Sequence, residues 1–190
     1  MKSLADIVGD RWVSDEQEVL ASYGRDISTY LLYGQPKPPD LVILPQTTDE
    51  ISQIVKYAKA NHLIITIRNT GLSLSSTSVA GHGGLLIDLR RMDRVLQING
   101  DTHTATVEPN VSLAVLSFAM QKRGMFIAIP GAPSTAGVLS NYVYGNTNKS
   151  GSRLDWQYNH IIGIEMVLPD GSIIKTGSSA DNSDEPSIWA

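Results

Sequence analysis

The chain has 190 residues, a net charge of -4 at pH 7, 42% hydrophobic residues and no cysteine. That is enough apolar material to bury a core, disulfides are impossible, and no apolar stretch reaches the roughly 20 residues needed to cross a bilayer. The acidic balance, with basic pairs only at Arg90-Arg91 and Lys122-Arg123, argues against a nucleic-acid partner.

The opening MKSLADIVGDRW lacks a long apolar segment, so no secretory signal is expected and the cytoplasm is the expected compartment. On that reading the glycosylation patterns at Asn110-Val111-Ser112 and Asn148-Lys149-Ser150 are incidental. Pro39-Asp40-Leu41-Val42-Ile43-Leu44-Pro45 predicts a short strand. Thr47-Thr48-Asp49-Glu50 then offers a capping box to a helix whose Ile51, Ile54, Val55 and Ala58 share one face. The β-branched run Leu63-Ile64-Ile65-Thr66-Ile67 predicts a second strand, which opens into Arg68 to Val79, RNTGLSLSSTSV. Such a loop presents backbone N–H groups with little side chain in the way, the requirement for cradling a phosphate. Its composition alone equally describes a solvated connection. Following a strand, a helix and a strand, it completes a βαβ-like unit ending in an anion cradle and suggests a nucleotide cofactor.

Gly83-Gly84-Leu85-Leu86-Ile87-Asp88-Leu89 predicts a further strand. Val95-Leu96-Gln97-Ile98 and Thr104-Ala105-Thr106-Val107-Glu108, joined through Asn99-Gly100-Asp101, predict a hairpin. A helix is expected from Pro109, Asn110 and Ser112, with Leu113, Leu116 and Met120 on one face and Gly124 as its stop. Ile129 to Asn146, IPGAPSTAGVLSNYVYGN, is a second small-residue loop. Ile161 to Pro169 turns at Asp170-Gly171 into Ser172 to Gly177, a second predicted hairpin. The polar Ser178 to Pro186 reads as a loop.

Neither a Rossmann nor a Walker glycine pattern occurs, which disfavours a dinucleotide site of the Rossmann kind or an ATP site. Gly71-Leu72-Ser73-Leu74-Ser75 fails the G-x-S-x-G pattern at its last position. His62, His82, His103 and His160 form no metal-binding spacing; each reads as a surface or turn residue, and no metal site is expected.

Six segments in this order, PPDLVILPQTTDEISQIVKYA, RNTG, GGLLIDLRRMDRV, ATVEPNVSL, PGAPSTAG and IIGIEMVLPDGSIIKTG, together resemble one family. It is the FAD-binding domain of the flavin oxidoreductases that include vanillyl-alcohol oxidase, p-cresol methylhydroxylase, berberine-bridge-like oxidases, D-lactate dehydrogenases and glycolate oxidase subunits. The resemblance runs from Leu41 to Gly177. It implies an α+β, two-subdomain FAD-binding fold of the p-cresol methylhydroxylase type with the cap domain absent. Residues 1–97 would form an αβ subdomain, 98–190 a second and incomplete one, and FAD would lie in the groove between them.

The resemblance further implies that Arg68, Asn69, Thr70, Gly71, Leu72, Ser73, Leu74 and Ser75 line the FAD pyrophosphate. Pro130 and Gly131 match a turn near the flavin ring, and Thr135 and Gly137 match a T-x-G signature. Asn141 and Gly145 fall where the chain passes the cofactor, and Ile162 and Ile164 at the adenine end. Two departures stand out. Gly71 is the sole glycine between Arg68 and Val79, so Thr70 would be strained wherever the family needs glycine. The stretch from Gly145 to Arg153 is longer than the family pattern, with Arg153-Leu154-Asp155 in place of Arg-Tyr-Gly.

Some members tether the flavin through a histidine in the first loop or a cysteine in the second segment. Leu72 stands at the histidine position and cysteine is absent, so FAD is expected to be non-covalent. The implied activity is oxidation of a small alcohol, hydroxy acid, sugar or phenol by hydride transfer to flavin. The chain would be the FAD-binding portion or subunit of such an enzyme. A companion chain or a C-terminal region would carry the substrate cap and the catalytic side chains, none of which is identified here. The apolar Ile188-Trp189 end suggests a truncated chain or contact with a partner subunit. The alternative is a non-catalytic interaction module of the same fold that has lost the cofactor.

Overall fold

Strand β4 (Leu85–Asp88) is buried at all four positions, as a continuous apolar run in a parallel sheet should be. It lies inside a four-stranded sheet of order β1-β2-β4-β3, formed with β1 (Val13–Ser14), β2 (Leu41–Ile43) and β3 (Ile65–Arg68). β2 and β3 both run parallel to β4, and β1 is antiparallel to β2. This is a computed structural model, and it describes residues 3–26, 37–73, 76–127, 131–143 and 160–177. Leu74, Ser75, Pro130, Gly145, the Arg153-Leu154-Asp155 stretch, the Ser178 to Pro186 loop and Ile188-Trp189 lie outside the described residues. Two compact units are present: Met1–Arg91 with Met166–Ile174, and Met92–Glu165 with Lys175–Ala190.

In the first unit the predicted strand, helix and strand form as β2, α3 (Thr48–Ala60) and β3. The Thr47 hydroxyl accepts from the Glu50 N–H at 3.1 Å, while the Glu50 carboxylate accepts from the N–H of Gln46 at 2.6 Å. The reciprocal bond thus falls one residue before the cap. Ile54 and Ala58 are fully buried, with Ile51 and Val55 half-buried on the same face. Two helices, α1 (Leu4–Val8) and α2 (Gln17–Ser22), precede this unit together with the turn Asp10–Trp12 and β1. They go beyond the elements expected from the sequence, although Ser3 and Asp6 form a reciprocal capping box at 3.2 and 2.7 Å that is readable as a helix start. α2 delivers Val19, Leu20 and Tyr23 to a cluster with Val42, Ala80 and Leu86, and Val42 and Leu86 are direct partners in the sheet.

Gly83-Gly84 allows β4 to enter between its neighbours. The Gly84 carbonyl accepts from the N–H groups of Asp40 and Leu41 at 2.8 and 3.2 Å, and its N–H donates to the Asp40 carboxylate at 2.7 Å. Its φ is +83°, and a Cβ there would sit 2.5 Å from the Ile64 carbonyl oxygen.

In the second unit the Asn-Gly hairpin forms as β5 (Val95–Asn99) and β6 (Thr104–Val107). The Asn99 side-chain oxygen accepts from the N–H groups of Asp101 and Thr102 at 2.9 and 3.2 Å. The open end is held by Arg94, whose guanidinium lies 2.7 Å from the Glu108 carboxylate and whose N–H donates to it at 2.7 Å. Burial alone would raise the Glu108 pKa, but the bonds from Arg94 outweigh it and hold it below the usual carboxylate range. Helix α4 (Leu113–Gln121) starts at Ser112, whose hydroxyl accepts from the Val115 N–H, and Gly124 follows it at φ +70°. Leu113, Leu116 and Met120 form a core with Val111, Met125, Ala136 and Val138. A short helix α5 (Val138–Val143) follows.

The last hairpin is shorter than expected: β7 is Glu165–Val167 and β8 is Ile173–Lys175. Its turn is anchored in the first unit, where Ser52 donates to the Gly171 carbonyl at 2.5 Å. Among the described residues no helix is long and apolar enough to cross a membrane, and no cluster of metal-ligating side chains occurs.

Gly84→Ala places a Cβ both in a left-handed backbone and against the Ile64 carbonyl. It should destabilise the protein by about 1–3 kcal/mol, measured as a lower midpoint in urea unfolding; an unchanged midpoint would show that the sheet adjusts freely there.

Candidate cofactor site

Because β3 and β4 are parallel and in register, Arg68 pairs directly with Asp88 at their carboxyl ends. In open α/β sheets ligands bind outside these ends, and the RNTG loop leaves the sheet at this edge. The Arg68 guanidinium turns back under the loop. Its Nη1 donates to the carbonyls of Arg25 and Ser78 at 3.2 and 3.5 Å. Its Nε and Nη2 lie 2.8 and 2.6 Å from where a Cβ of residue 71 would be. Gly71 has φ +73°, a conformation that glycine adopts without steric cost. A side chain at 71 is therefore disfavoured by the backbone angle, and it would have to displace the guanidinium beneath it.

Asn69 and Thr70 both keep negative φ, and the other left-handed residue described in the loop is Ser76, at φ +56°. The strain expected at Thr70 is thus absent, because Thr70 itself is not left-handed. Asn69, Thr70, Gly71 and Ser73 are half-buried and Leu72 is exposed. The Ser73 and Thr77 hydroxyls share a hydrogen bond of 3.1 Å, and Ser78 donates to Asp26 at 3.1 Å. Ser73 and Thr77 thus join two parts of the loop, and Ser78 ties it to Asp26.

Beneath it sits a buried polar cluster that the sequence reading did not single out. Asp88 is 1% exposed. Its carboxylate accepts from the Arg90 N–H at 2.8 Å and from the Arg90 Nε at 2.9 Å, and the Arg90 Nη2 lies 2.7 Å away. The buried Tyr23 ring has the Arg68 guanidinium 5.4 Å and the Arg90 guanidinium 5.5 Å from its centroid. Burial, followed by the charge and hydrogen bond of Asp88, pushes the Tyr23 hydroxyl up to about 12. An acidic residue closing an apolar strand two positions before Arg90-Arg91 is the sequence signal that could have marked Asp88.

The second set of predicted residues lies in the other unit. The segment around Thr135 and Gly137 lies across the start of α4. The Ser134 and Ala136 carbonyls accept from the N–H groups of Ala114 and Leu113 at 2.8 and 2.9 Å. The first donors of α4 are therefore already used by protein and are not left for an anion. Gly137 is buried, and its carbonyl accepts from the Asn141 side-chain amide at 2.8 Å. Gly131 and Thr135 are exposed. Ile162 is exposed and Ile164 half-buried. The Ile164 N–H donates to the buried Thr176 hydroxyl at 3.2 Å, and the Ile164 carbonyl accepts from the Thr176 N–H at 2.9 Å. Gly177, at φ +63°, packs so tightly on the Ile162 carbonyl that a Cβ would collide with it. Tyr142 on α5 meets His160 edge to face at 6.5 Å, which brings the region of Asn141 close to the start of this segment.

Residues 39–177 match the family model described as an FAD binding domain. The chain belongs to the FAD-binding domain family. An uncharacterised FAD-linked oxidoreductase of Mycobacterium tuberculosis is 32% identical over 179 residues, covering 91% of this chain and 37% of that protein. Glycolate oxidase subunit GlcD of Bacillus subtilis is 34% identical over 144 residues, covering 73% of this chain and 30% of that protein. Among solved structures, p-cresol methylhydroxylase with substrate bound superposes with a TM-score of 0.80 at 20% identity, over 97% of this chain and 38% of that one. The α+β fold is thus of the p-cresol methylhydroxylase type, and the chain spans about a third of the length of the curated relatives it matches. FAD is the cofactor of this family domain. The residues of the first loop fit such a group in their chemistry: a left-handed glycine turn with a guanidinium beside it is compatible with a negative, phosphate-bearing ligand.

Proposed function

We propose that this domain holds FAD non-covalently and serves as the flavin-binding part of an oxidoreductase that oxidises a small alcohol, hydroxy acid, sugar or phenol. The observation that carries the reading is the left-handed Gly71 turn lying on the Arg68 guanidinium at the carboxyl edge of β3 and β4. The relatives support the chemistry, since one is a glycolate oxidase subunit and a structural neighbour is p-cresol methylhydroxylase. FAD, when bound, supplies the hydride acceptor.

The chain's own residues would bind and orient it. Arg68, Asn69, Thr70, Gly71, Leu72 and Ser73, continuing through Leu74 and Ser75, would present N–H groups and one positive charge to the diphosphate. Pro130, Gly131, Thr135, Gly137, Asn141 and Gly145 would follow the cofactor in the second unit, with Ile162 and Ile164 at its adenine end. Leu72 offers no nucleophile to the flavin, and no cysteine exists to replace it. Groups that hold the substrate and accept its proton would come from a further stretch of polypeptide, in the same chain or a companion. The reducing cytoplasm is the compartment that a cysteine-free chain suits.

Gly71→Val should weaken FAD binding by about 1–3 kcal/mol, the scale of strain at a special backbone position, with the circular dichroism spectrum preserved. Fluorescence titration with FAD gives the affinity, and an unchanged value would move the cradle elsewhere. Acid precipitation of the FAD complex should release all flavin to the supernatant. Colour retained by the washed pellet would reveal a covalent link.

A further inference from the structure

The cluster beneath the first loop is more than packing. Tyr23 has two guanidiniums over its ring, with Arg68 at 5.4 Å and Arg90 at 5.5 Å from the centroid, and Arg90 is fixed by three contacts to the buried Asp88 carboxylate. Among the described residues the Arg68 guanidinium donates through Nη1 to backbone carbonyls, and it also lies over the Tyr23 ring. Asp26, which accepts from Ser78, is the other carboxylate of this cluster. A guanidinium on an aromatic face keeps its charge while losing freedom to swing into water. Building on the FAD reading above, we propose that Tyr23 and Asp88 are positioning residues for cofactor binding: they hold the Arg68 guanidinium beneath Gly71, so that its charge meets a diphosphate at a fixed place in the loop.

Positioning through Arg68 predicts coupling, which a merely structural role does not. The test is a double-mutant cycle of Tyr23→Leu and Arg68→Met in the whole 190-residue chain, with FAD affinity read by flavin fluorescence and folding by thermal melting. Arg68→Met should weaken FAD about tenfold, as loss of a charge-assisted contact does. Tyr23→Leu should weaken it several-fold, and the double variant should be no weaker than Arg68→Met alone. Tyr23→Phe keeps the ring face and should restore affinity to within about twofold of the parent. Should Tyr23→Leu fail to fold, Asp88→Asn takes its place in the cycle with the same expected non-additivity. Losses that multiply in the double variant, or a Tyr23→Leu or Asp88→Asn chain that binds FAD like the parent, would overturn the inference. A parent chain that binds no FAD would instead remove the cofactor reading on which it rests.

Discussion

The parallel register of β3 and β4 is the constraint on which the candidate site depends. It sets Arg68 opposite Asp88, so that a positive and a negative side chain leave the sheet side by side at the edge where the loop begins. One residue of slip would send each side chain to the other face of the sheet. Arg68 would then no longer stand opposite Asp88. The register is in turn secured by glycine. Gly84 lets the backbone of β4 approach within bonding distance of Asp40, Leu41 and Ile64, which no residue with a Cβ could do.

The loop around Gly71 takes its shape from the charged and hydroxyl groups beside it. A flexible glycine-rich loop exposes its N–H groups but has no preferred shape. Here the shape comes from below, through the Arg68 guanidinium bonded to the Arg25 and Ser78 carbonyls, and from within, through the Ser73–Thr77 and Ser78–Asp26 hydrogen bonds. The described part of the loop then takes left-handed steps at Gly71 and Ser76. The carboxylate of Asp88 is almost wholly removed from water, a costly state that is tolerable because Arg90 donates to both of its oxygens. The same ion pair fixes one side of the Tyr23 ring.

Much of this was legible in the sequence, for stated reasons. The β2, α3, β3, β4 order followed from period and caps, and the β5–β6 hairpin from its Asn-Gly turn, because those signals are local. Thr47 and Ser112 could be read as helix caps for the same reason. The Tyr23 platform could not, because it is made by residues that meet only after the sheet assembles: Tyr23 and Asp88 are far apart in sequence, and nothing near Tyr23 announces a charged neighbour. β7 is shorter than the apolar run from Ile161 to Val167 predicts because that run has no internal stop signal, and Ile164 bonds to Thr176 outside the regular strands. The use of the α4 donors by Ser134 and Ala136 was likewise invisible, since it joins a helix start to a loop twenty residues later.

The most direct test of the account is the visible spectrum of the purified chain after incubation with FAD and removal of unbound flavin. The account predicts flavin bands between roughly 350 and 450 nm at a ratio near one flavin per chain. A folded chain that carries no absorbance above the protein band would contradict it.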